Sequence, residues 1–468
     1  MNKSLFTKGI RAAIYTLCLA STSGTHLYAQ SLEQTVALAL DTHPDIRQAF
    51  ARFKSKEEDV NRASAGYLPT VDITAGYGYE YTDTPGNRRA DLGFSEGETE
   101  LRRGEFGVSL RQMLFDGMFT SSEVKRTKYE ASAEQWALIS TAEDLALSVS
   151  KGYLNHLKNQ QLVTLSEKNV ASHQQIYKQI KERTDSGMGS IADLSQVTGR
   201  LARAQSNLIS ARNNLRDARA EFISLTNIAP SDLVMPVPDA DMLPKDSASG
   251  LISAIERHPL IKSARQDINA ARAYGGSVQA NYYPKLSLEL DANVDNDIAG
   301  EDGLNRNGIS VGGYRNDLTV MLRMRYNLYS GGKDIALERS AAYKTTEAQE
   351  INYRAHREVT ESFGLAWNAY EMLGLQKQYI QQHVVTSKET QQAYQQQFTL
   401  GQRNLLDLLD TENELFQARK DYLDANFDEL GARYRLLNVT GQLLASLRVT
   451  RSQKWQGEHE YGQGDDHE

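Results

Sequence analysis

Four stretches of this chain alternate apolar and polar residues with a period of two. Val71, Ile73, Ala75, Tyr77, Tyr79 and Tyr81 share one face, with Asp72, Thr74, Gly76 and Glu80 on the other. Phe106, Val108 and Leu110 oppose Gly107, Ser109 and Arg111. Leu286, Leu288, Leu290 and Ala292 oppose Ser287, Glu289, Asp291 and Asn293. Leu318, Val320, Leu322, Met324 and Tyr326 oppose Thr319, Arg323, Arg325 and Asn327. Successive side chains of a strand point to opposite faces, so the pattern predicts four strands, each with one apolar face. Each is about 10–12 residues long, which suits a tilted crossing of a bilayer. Taken singly, any of the four also fits a soluble sheet lying on a core. Together, with both signs of charge on the polar faces and polar, glycine-rich connections at 83–103 and 295–315, they predict membrane strands.

Between these stretches the chain reads as helix. None of its nine prolines falls between residues 86 and 229, and none follows Pro284. Long proline-free runs rich in Ala, Gln, Arg and Leu favour helix. The expected helices are 31–66, 120–184, 191–226, 250–281, 333–399 and 404–440. At ~1.5 Å per residue the second and fifth are each ~100 Å long, too long to pack inside a globule. The others are about half that length, so two short helices stacked end to end can line one long one.

The pattern occurs twice. His43-Pro44 and Tyr67-Leu68-Pro69 return 215 positions later as His258-Pro259 and Tyr282-Tyr283-Pro284. Leu114-Phe115-Asp116-Gly117 answers Leu328-Tyr329-Ser330-Gly331, and Gly187 with Asp193 answers Gly401 with Asp407, now 214 apart. A period this long makes each copy a whole assembly rather than a solenoid unit. The expected organisation is a first repeat at 30–229, an irregular proline-rich connector at 230–249, a second repeat at 250–445 and a polar tail at 446–468, disordered beyond residue 450.

The first 29 residues read as a secretory signal: Lys3, Lys8 and Arg11, an apolar run from Ala12 to Ala20, then Leu27-Tyr28-Ala29 before Gln30. Cys18, the single cysteine, lies within it. Its neighbours Tyr15-Thr16-Leu17 lack the small residue expected before a lipidated cysteine. Export without disulfides suits the periplasm or the outer membrane. Removing the leader leaves 49 basic against 60 acidic residues, a balance that disfavours nucleic acid as a partner. No later stretch has the ~18–20 apolar residues of a spanning helix, so any crossing must use strands.

Four strands cannot close a barrel, because the smallest membrane barrels have about eight. An open edge in lipid strands backbone groups without partners, at several kcal/mol each. The residues therefore demand an oligomer without fixing its number.

The paired helix-His-Pro openings, the Tyr-Leu-Pro and Tyr-Tyr-Pro entries to strands and the hairpins at 187–194 and 401–410 resemble the TolC family of outer-membrane channel-tunnels. The resemblance covers nearly all of 31–445. It implies an α+β membrane protein: a homotrimer whose 12-stranded transmembrane β-barrel, four strands per protomer, continues as a long α-helical barrel in the periplasm. The wording around Arg47–Thr82 is similar to channels of type I secretion systems, particularly LapE-like ones exporting large adhesins. The partners so implied are a periplasmic adaptor, an inner-membrane ABC transporter, outer-membrane lipid and a secreted protein cargo.

The turn from Phe398 to Asp410 carries the most chemistry. Gly401 can end the long helix, Asn404 can cap the next, and Asp407 and Asp410 fall three apart on one helical face. Spacing alone also fits a solvated acidic face; in a trimer the pair would become two carboxylate rings and a possible cation site. The resemblance implies a periplasmic gate here, with Asp407 and Asp410 in its acidic rings, Arg403 tying neighbouring helices, Asp193 as the acidic partner and Phe398 at the position of a gate tyrosine. Ala192 replaces a threonine of that network, so fewer closing hydrogen bonds are expected. Gly187, Met188, Gly401 and Gln402 match the adaptor-docking tips, although simple turn chemistry explains the glycines equally well.

No catalytic constellation, phosphate loop or metal-ligand spacing is present in the sequence, so neither an enzyme nor a cofactor is expected. The first expectation is a passive exit duct for an unfolded polypeptide. The second is the same duct serving a small-molecule or drug efflux pump. A periplasmic coiled-coil scaffold would explain the helices but not the four amphipathic strands.

Overall fold

The computed structural model describes residues 30–83, 98–298 and 314–458. The signal segment with Cys18, residues 84–97 and 299–313 of the expected loops, and 459–468 of the tail lie outside them. A four-stranded antiparallel meander is formed by β1 (Thr70–Asp83), β2 (Glu98–Phe115), β3 (Lys285–Ile298) and β4 (Tyr314–Arg325), in that order. The strands run longer than expected. The β1–β2 ladder continues to Asp83↔Glu98 and the β3–β4 ladder to Asn296↔Tyr314, taking in residues expected to be loop.

Register turns four local alternations into two continuous faces. Ile73, Val108, Ala292 and Leu318 form one row across the sheet, and Val71, Leu110, Leu290 and Val320 the next. A one-residue slip in any strand would send its apolar set to the wrong side. On the outer strands this face is uncovered, with Ile73 at 68% exposure and Leu318 at 72%. On the opposite face Asp72, Ser109, Asp291 and Thr319 align. Beside them Glu289 on β3 accepts from Arg323 on β4 at 2.5 Å and pairs with Arg111 on β2 at 3.5 Å. Among the described residues, β1 and β4 each pair on one side only.

The long helices are α3 (Phe119–Asp185) and α7 (Lys333–Thr399), 67 residues each. The first expected helix, 31–66, is instead two: α1 (Leu32–Thr42) and α2 (Pro44–Ser64). Its counterpart is likewise split into α5 (Ser247–Arg257) and α6 (Pro259–Gln279). Proline pushes the residue before it out of the helical region, and His43 (φ −70°, ψ 134°) and His258 (φ −60°, ψ 125°) are extended. Each histidine ends one helix and starts the next. His43 Nδ1 accepts from the Asp45 backbone N–H, and His258 Nδ1 from that of Leu260, both at 3.2 Å. Burial pushes the His258 pKa down to about 4, so the ring is the neutral acceptor this cap needs.

The remaining helices are α4 (Ile191–Thr226), α8 (Leu405–Val439) and the single turn α9 (Leu443–Ser446). Near the sheet the helices lie in the order α2–α3–α6–α7, and at the far end in the order α4–α3–α8–α7. Two short helices thus line each long one. Among the described residues no helix is long and apolar enough to cross a membrane.

Small residues at a seven-residue spacing build the seams. Val197, Ala204, Ala211 and Ala218 are buried on α4, Ala341, Ala348 and Ala355 on α7, and Ala418, Ala425, Ala432 and Val439 on α8. A strict seven-residue period keeps one seam facing the partner as the helices supercoil. Alanine there lets the backbones approach closely. The same spacing is visible in the sequence.

The strand-to-helix corners show the repeat at atomic level. Asp116 Oδ2 accepts from the Thr120 backbone N–H at 2.8 Å and from its hydroxyl at 2.5 Å. At the positions 214 later the groups are exchanged: the Ser330 hydroxyl donates to the Asp334 carboxylate.

The main core lies midway along the helices, where Leu32, Val36, Phe53, Leu138, Tyr153, Phe222, Tyr434 and Leu444 meet. It also anchors the irregular segments. The Tyr153 hydroxyl lies 2.7 Å from both the Gln30 and Val234 carbonyl oxygens, stitching the start of the described chain to the connector. The expectation of a disordered tail fails as far as Glu458. Leu447 is buried, Trp455 packs on the core, Gln135 donates to its carbonyl at 2.7 Å, and Glu458 pairs with Lys54 at 2.9 Å.

Glu143 on α3 is buried in this region, 2% exposed. Its Oε2 accepts from the Leu444 backbone N–H at 3.3 Å, while Oε1 has no partner. Burial pushes its pKa up from 4.5 to about 7. A carboxyl that holds its proton more tightly when folded adds stability below pH about 4.5 and loses it as pH rises through about 7. The contribution is up to about 3 kcal/mol. Unfolding of detergent-solubilised protein between pH 5 and 8 should therefore show the stability of wild type falling relative to that of Glu143→Gln as pH rises. A pH-independent gap would remove Glu143 from the account. The variant is the needed control, because His258, held low, favours the folded state in the opposite direction across pH 4–6.5.

Candidate functional site

The two points farthest from the sheet, where a long helix reverses into a short one, are built alike. At the end of α3, Gly187 (φ +75°) donates to the Thr184 carbonyl at 3.0 Å and Met188 to that of Arg183 at 2.9 Å. At the end of α7, Gly401 (φ +73°) donates to Phe398 at 3.0 Å and Gln402 to Gln397 at 2.9 Å. This paired bonding caps the last carbonyls of a helix and requires a left-handed residue, which glycine adopts without strain. The returning helices start on polar caps. Ser190 Oγ accepts from Ala192 N at 3.1 Å, and Asn404 Oδ1 from Asp407 N at 2.8 Å.

Backbone conformation thus accounts for both glycines. Nothing in the chain lies within 4 Å of where a Cβ would stand on either, so the surface beside each turn is open. Met188 is 80% exposed between them. Next to it, a cleft of about 310 Å³ is lined by Gln179, Glu182, Arg183, Ser186, Met188, Phe398 and Thr399, joining the ends of the two long helices.

An apolar seam holds the two hairpins together. Ile176, Ile180 and Val197 of the first pack against Phe398, Leu405, Leu408 and Leu409 of the second, all buried. Phe398 is therefore a seam residue. Its ring also carries the Arg183 guanidinium at 5.3 Å, a cation–π contact from the opposite hairpin.

The charged residues divide unevenly around this seam. Arg403 lies over the Tyr394 ring at 4.3 Å, donates to Gln397 at 2.9 Å and reaches Asp407 at 3.4 Å. All three partners belong to its own hairpin. Asp193 sits in the first turn of α4, where the helix dipole favours a carboxylate; the structure does not bring it to Arg403 within one chain. Asp410 is claimed by Arg200 of α4, whose Nη2 donates to Oδ1 at 2.7 Å. Sequence reasoning missed Arg200, because the pair is 210 residues apart and only folding brings it together. Each member of the acidic pair therefore has an arginine. Among the described residues, no three or more His, Cys, Asp or Glu side chains gather as a metal site.

A site of this kind can hold two hairpins shut with one buried apolar seam, one exposed ion pair and one cation–π contact. Removing side-chain volume from the seam should release both tips. Leu408, fully buried, is the sharpest choice: Leu408→Ala costs about 2–5 kcal/mol in a well-packed site. Hydrogen exchange should speed up at residues 176–197 and 398–410 together, with the main core unchanged. Faster exchange in one hairpin alone would show that the seam does not couple them.

Comparison with known proteins gives a consistent picture. A family model described as outer membrane efflux protein matches residues 35–227 and 251–442. The outer membrane efflux protein BepC of Brucella suis biovar 1 is 23% identical over 455 residues, covering 97% of this chain and 94% of that protein. The outer membrane protein TolC of Vibrio cholerae is 23% identical over 446 residues, covering 94% and 96%. The crystal structure of the Campylobacter jejuni CmeC outer membrane channel superposes with a TM-score of 0.75 at 16% identity, covering 88% of this chain and 86% of that one.

Proposed function

The chain belongs to the outer membrane efflux protein family, resident in the outer membrane and extending into the periplasm, and on that footing we propose that three copies form one passive duct. Each protomer contributes four strands to a 12-stranded barrel, and its paired helices continue the barrel as a hollow cylinder into the periplasm. The observation that carries this reading is the sheet itself. It has an apolar face that runs across all four strands in the rows of Val71 and Ile73, a charged opposite face, and two edges, β1 and β4, with no partner strand among the described residues. In lipid, such edges must pair with something, and pairing β4 of one copy with β1 of the next closes the ring.

The duct serves type I secretion. An inner-membrane ABC transporter and a periplasmic adaptor deliver an unfolded protein, in keeping with the LapE-like wording around Arg47–Thr82. The adaptor docks on the tips at Gly187, Met188, Gly401 and Gln402, where open surface stands beside both turns. The chain hydrolyses nothing; the transporter supplies the energy. Asp407, Asp410, Arg403, Asp193 and Phe398 form the periplasmic gate. Arg403 and Asp193, unjoined within one protomer, meet across the boundary between copies. A second reading, the same duct in a small-molecule efflux pump, is favoured by the name efflux protein carried by a relative aligned over nearly the whole chain.

Deleting the gene separates the two. Loss of a large surface protein with unchanged drug tolerance supports secretion; intact surface proteins with gained drug sensitivity reverse the ranking. For the duct itself, detergent-purified protein should migrate as a heat-modifiable trimer and form pores in planar bilayers. Arg403→Gln should raise the single-channel conductance by about two-fold or more, since charge groups at a constriction set both its width and its field. A water-soluble monomer would end the channel reading, and an unchanged conductance would end the tether role of Arg403.

A further inference from the structure

We infer that Arg200 is a gate residue of this channel: it latches the two hairpins of each protomer and neutralises Asp410, the member of the acidic pair farther from the tip. The inference rests on the duct reading above. Three observations at the hairpin tips carry it.

The first is geometry. Arg200 Nη2 to Asp410 Oδ1, at 2.7 Å, joins α4 to α8 beside the apolar seam, one turn beyond Val197 and next to Leu409. The second is the lack of alternatives. Within one protomer, among the described residues, Arg403 bonds only within its own hairpin, and Ala192 and Phe398 carry no hydrogen-bonding side chain. The next ion pair between the two hairpins, Lys158 with Asp424 at 3.5 Å, lies 14 residues along α8 from Asp410, or about 21 Å. Near the tips, among the described residues, the only ion pair linking one hairpin to the other is Arg200–Asp410.

The third is charge. Asp407 with Arg403 and Asp410 with Arg200 sum to zero in each protomer. Repeated around a ring, these four groups cancel and leave Asp193 as the remaining charge of the proposed gate, a much weaker attraction for cations than the acidic residues would exert by themselves. Arg200 is therefore specificity-determining as well as mechanical. The guanidinium and carboxylate are 25% and 57% exposed, so the pair is reachable by water and weak enough to be broken by a docking partner.

The test uses full-length trimer in planar bilayers, read as unitary conductance and as reversal potential in a potassium chloride gradient. Arg200→Gln should raise conductance about two-fold or more and shift the reversal potential toward cation selectivity. Arg200→Lys, which keeps the charge and a single donor, should stay close to wild type in both. Heat-modifiable migration of each variant confirms an intact trimer. Arg200→Gln indistinguishable from wild type would overturn the inference while leaving the duct standing. So would Arg200→Lys as open as Arg200→Gln, since a charge latch must survive a conserved charge. Wild-type protein that forms no pore would overturn the duct reading, and the inference with it.

Discussion

Every backbone N–H and C=O placed in hydrocarbon must find a partner within protein, and the rest of this molecule follows from that constraint. A four-stranded meander satisfies its two inner strands and leaves β1 and β4 half satisfied. The apolar face on one side and the ion-paired face on the other specify where lipid and water lie. Glu289 between Arg111 and Arg323 would be a costly arrangement against lipid, but is an ordinary one against a water-filled lumen. The sheet thus fixes orientation, and its open edges call for other copies.

The helices answer a different requirement, a wall one helix thick that is stiff over its whole length. Such a wall has no deep core, because each helix is covered by neighbours on two sides only. Alanine at every seventh position compensates by drawing the backbones together, so that contact area comes from proximity rather than from large side chains. Larger residues are concentrated in the midway cluster, where α1, α9, the connector and the tail add a second layer. The tail's docking through Trp455 and Glu458 belongs to this thickening. In the proposed trimer the result is a thin tube with one reinforced girdle.

Much of this was legible in the sequence, for identifiable reasons. Period-two alternation names strands wherever one face is apolar, and Ile73, Val108 and Leu318 did so before any register was known. Helix length followed from the spacing of prolines. The break at His43-Pro44 was not anticipated, because proline at the first turn of a helix is compatible with a helix that merely begins there. Only the extended ψ of His43 shows that another helix ends on the same residue. The tail was misjudged because its composition is polar, whereas Trp455 on the core and the ion pair of Glu458 with Lys54 anchor it. At the closed end, the turn glycines and the Asn404 cap were readable locally. Arg200 was not, since nothing near it in sequence distinguishes it from other exposed arginines of α4.

In the proposed duct, a gate that a partner protein must open cannot be held by much. An exposed ion pair contributes roughly 0.2–1 kcal/mol and a cation–π contact about 0.5–1 kcal/mol at an exposed site. Neither alone would hold two hairpins together. The seam of Val197, Phe398, Leu408 and Leu409 supplies the larger share, and it is non-directional: it resists separation but tolerates sliding. The directional contacts, Arg200 with Asp410 and Arg183 over Phe398, remove that freedom and select one register. This division suits a conformational equilibrium that must stay closed at rest yet lie within a few kcal/mol of opening, the range a docking interface can repay. A buried, fully desolvated ion pair at the same place would specify the register as well, but breaking it would cost about 3–5 kcal/mol at each protomer. Exposure of the latch is therefore a condition of its working, since water can take up the charges as the hairpins part.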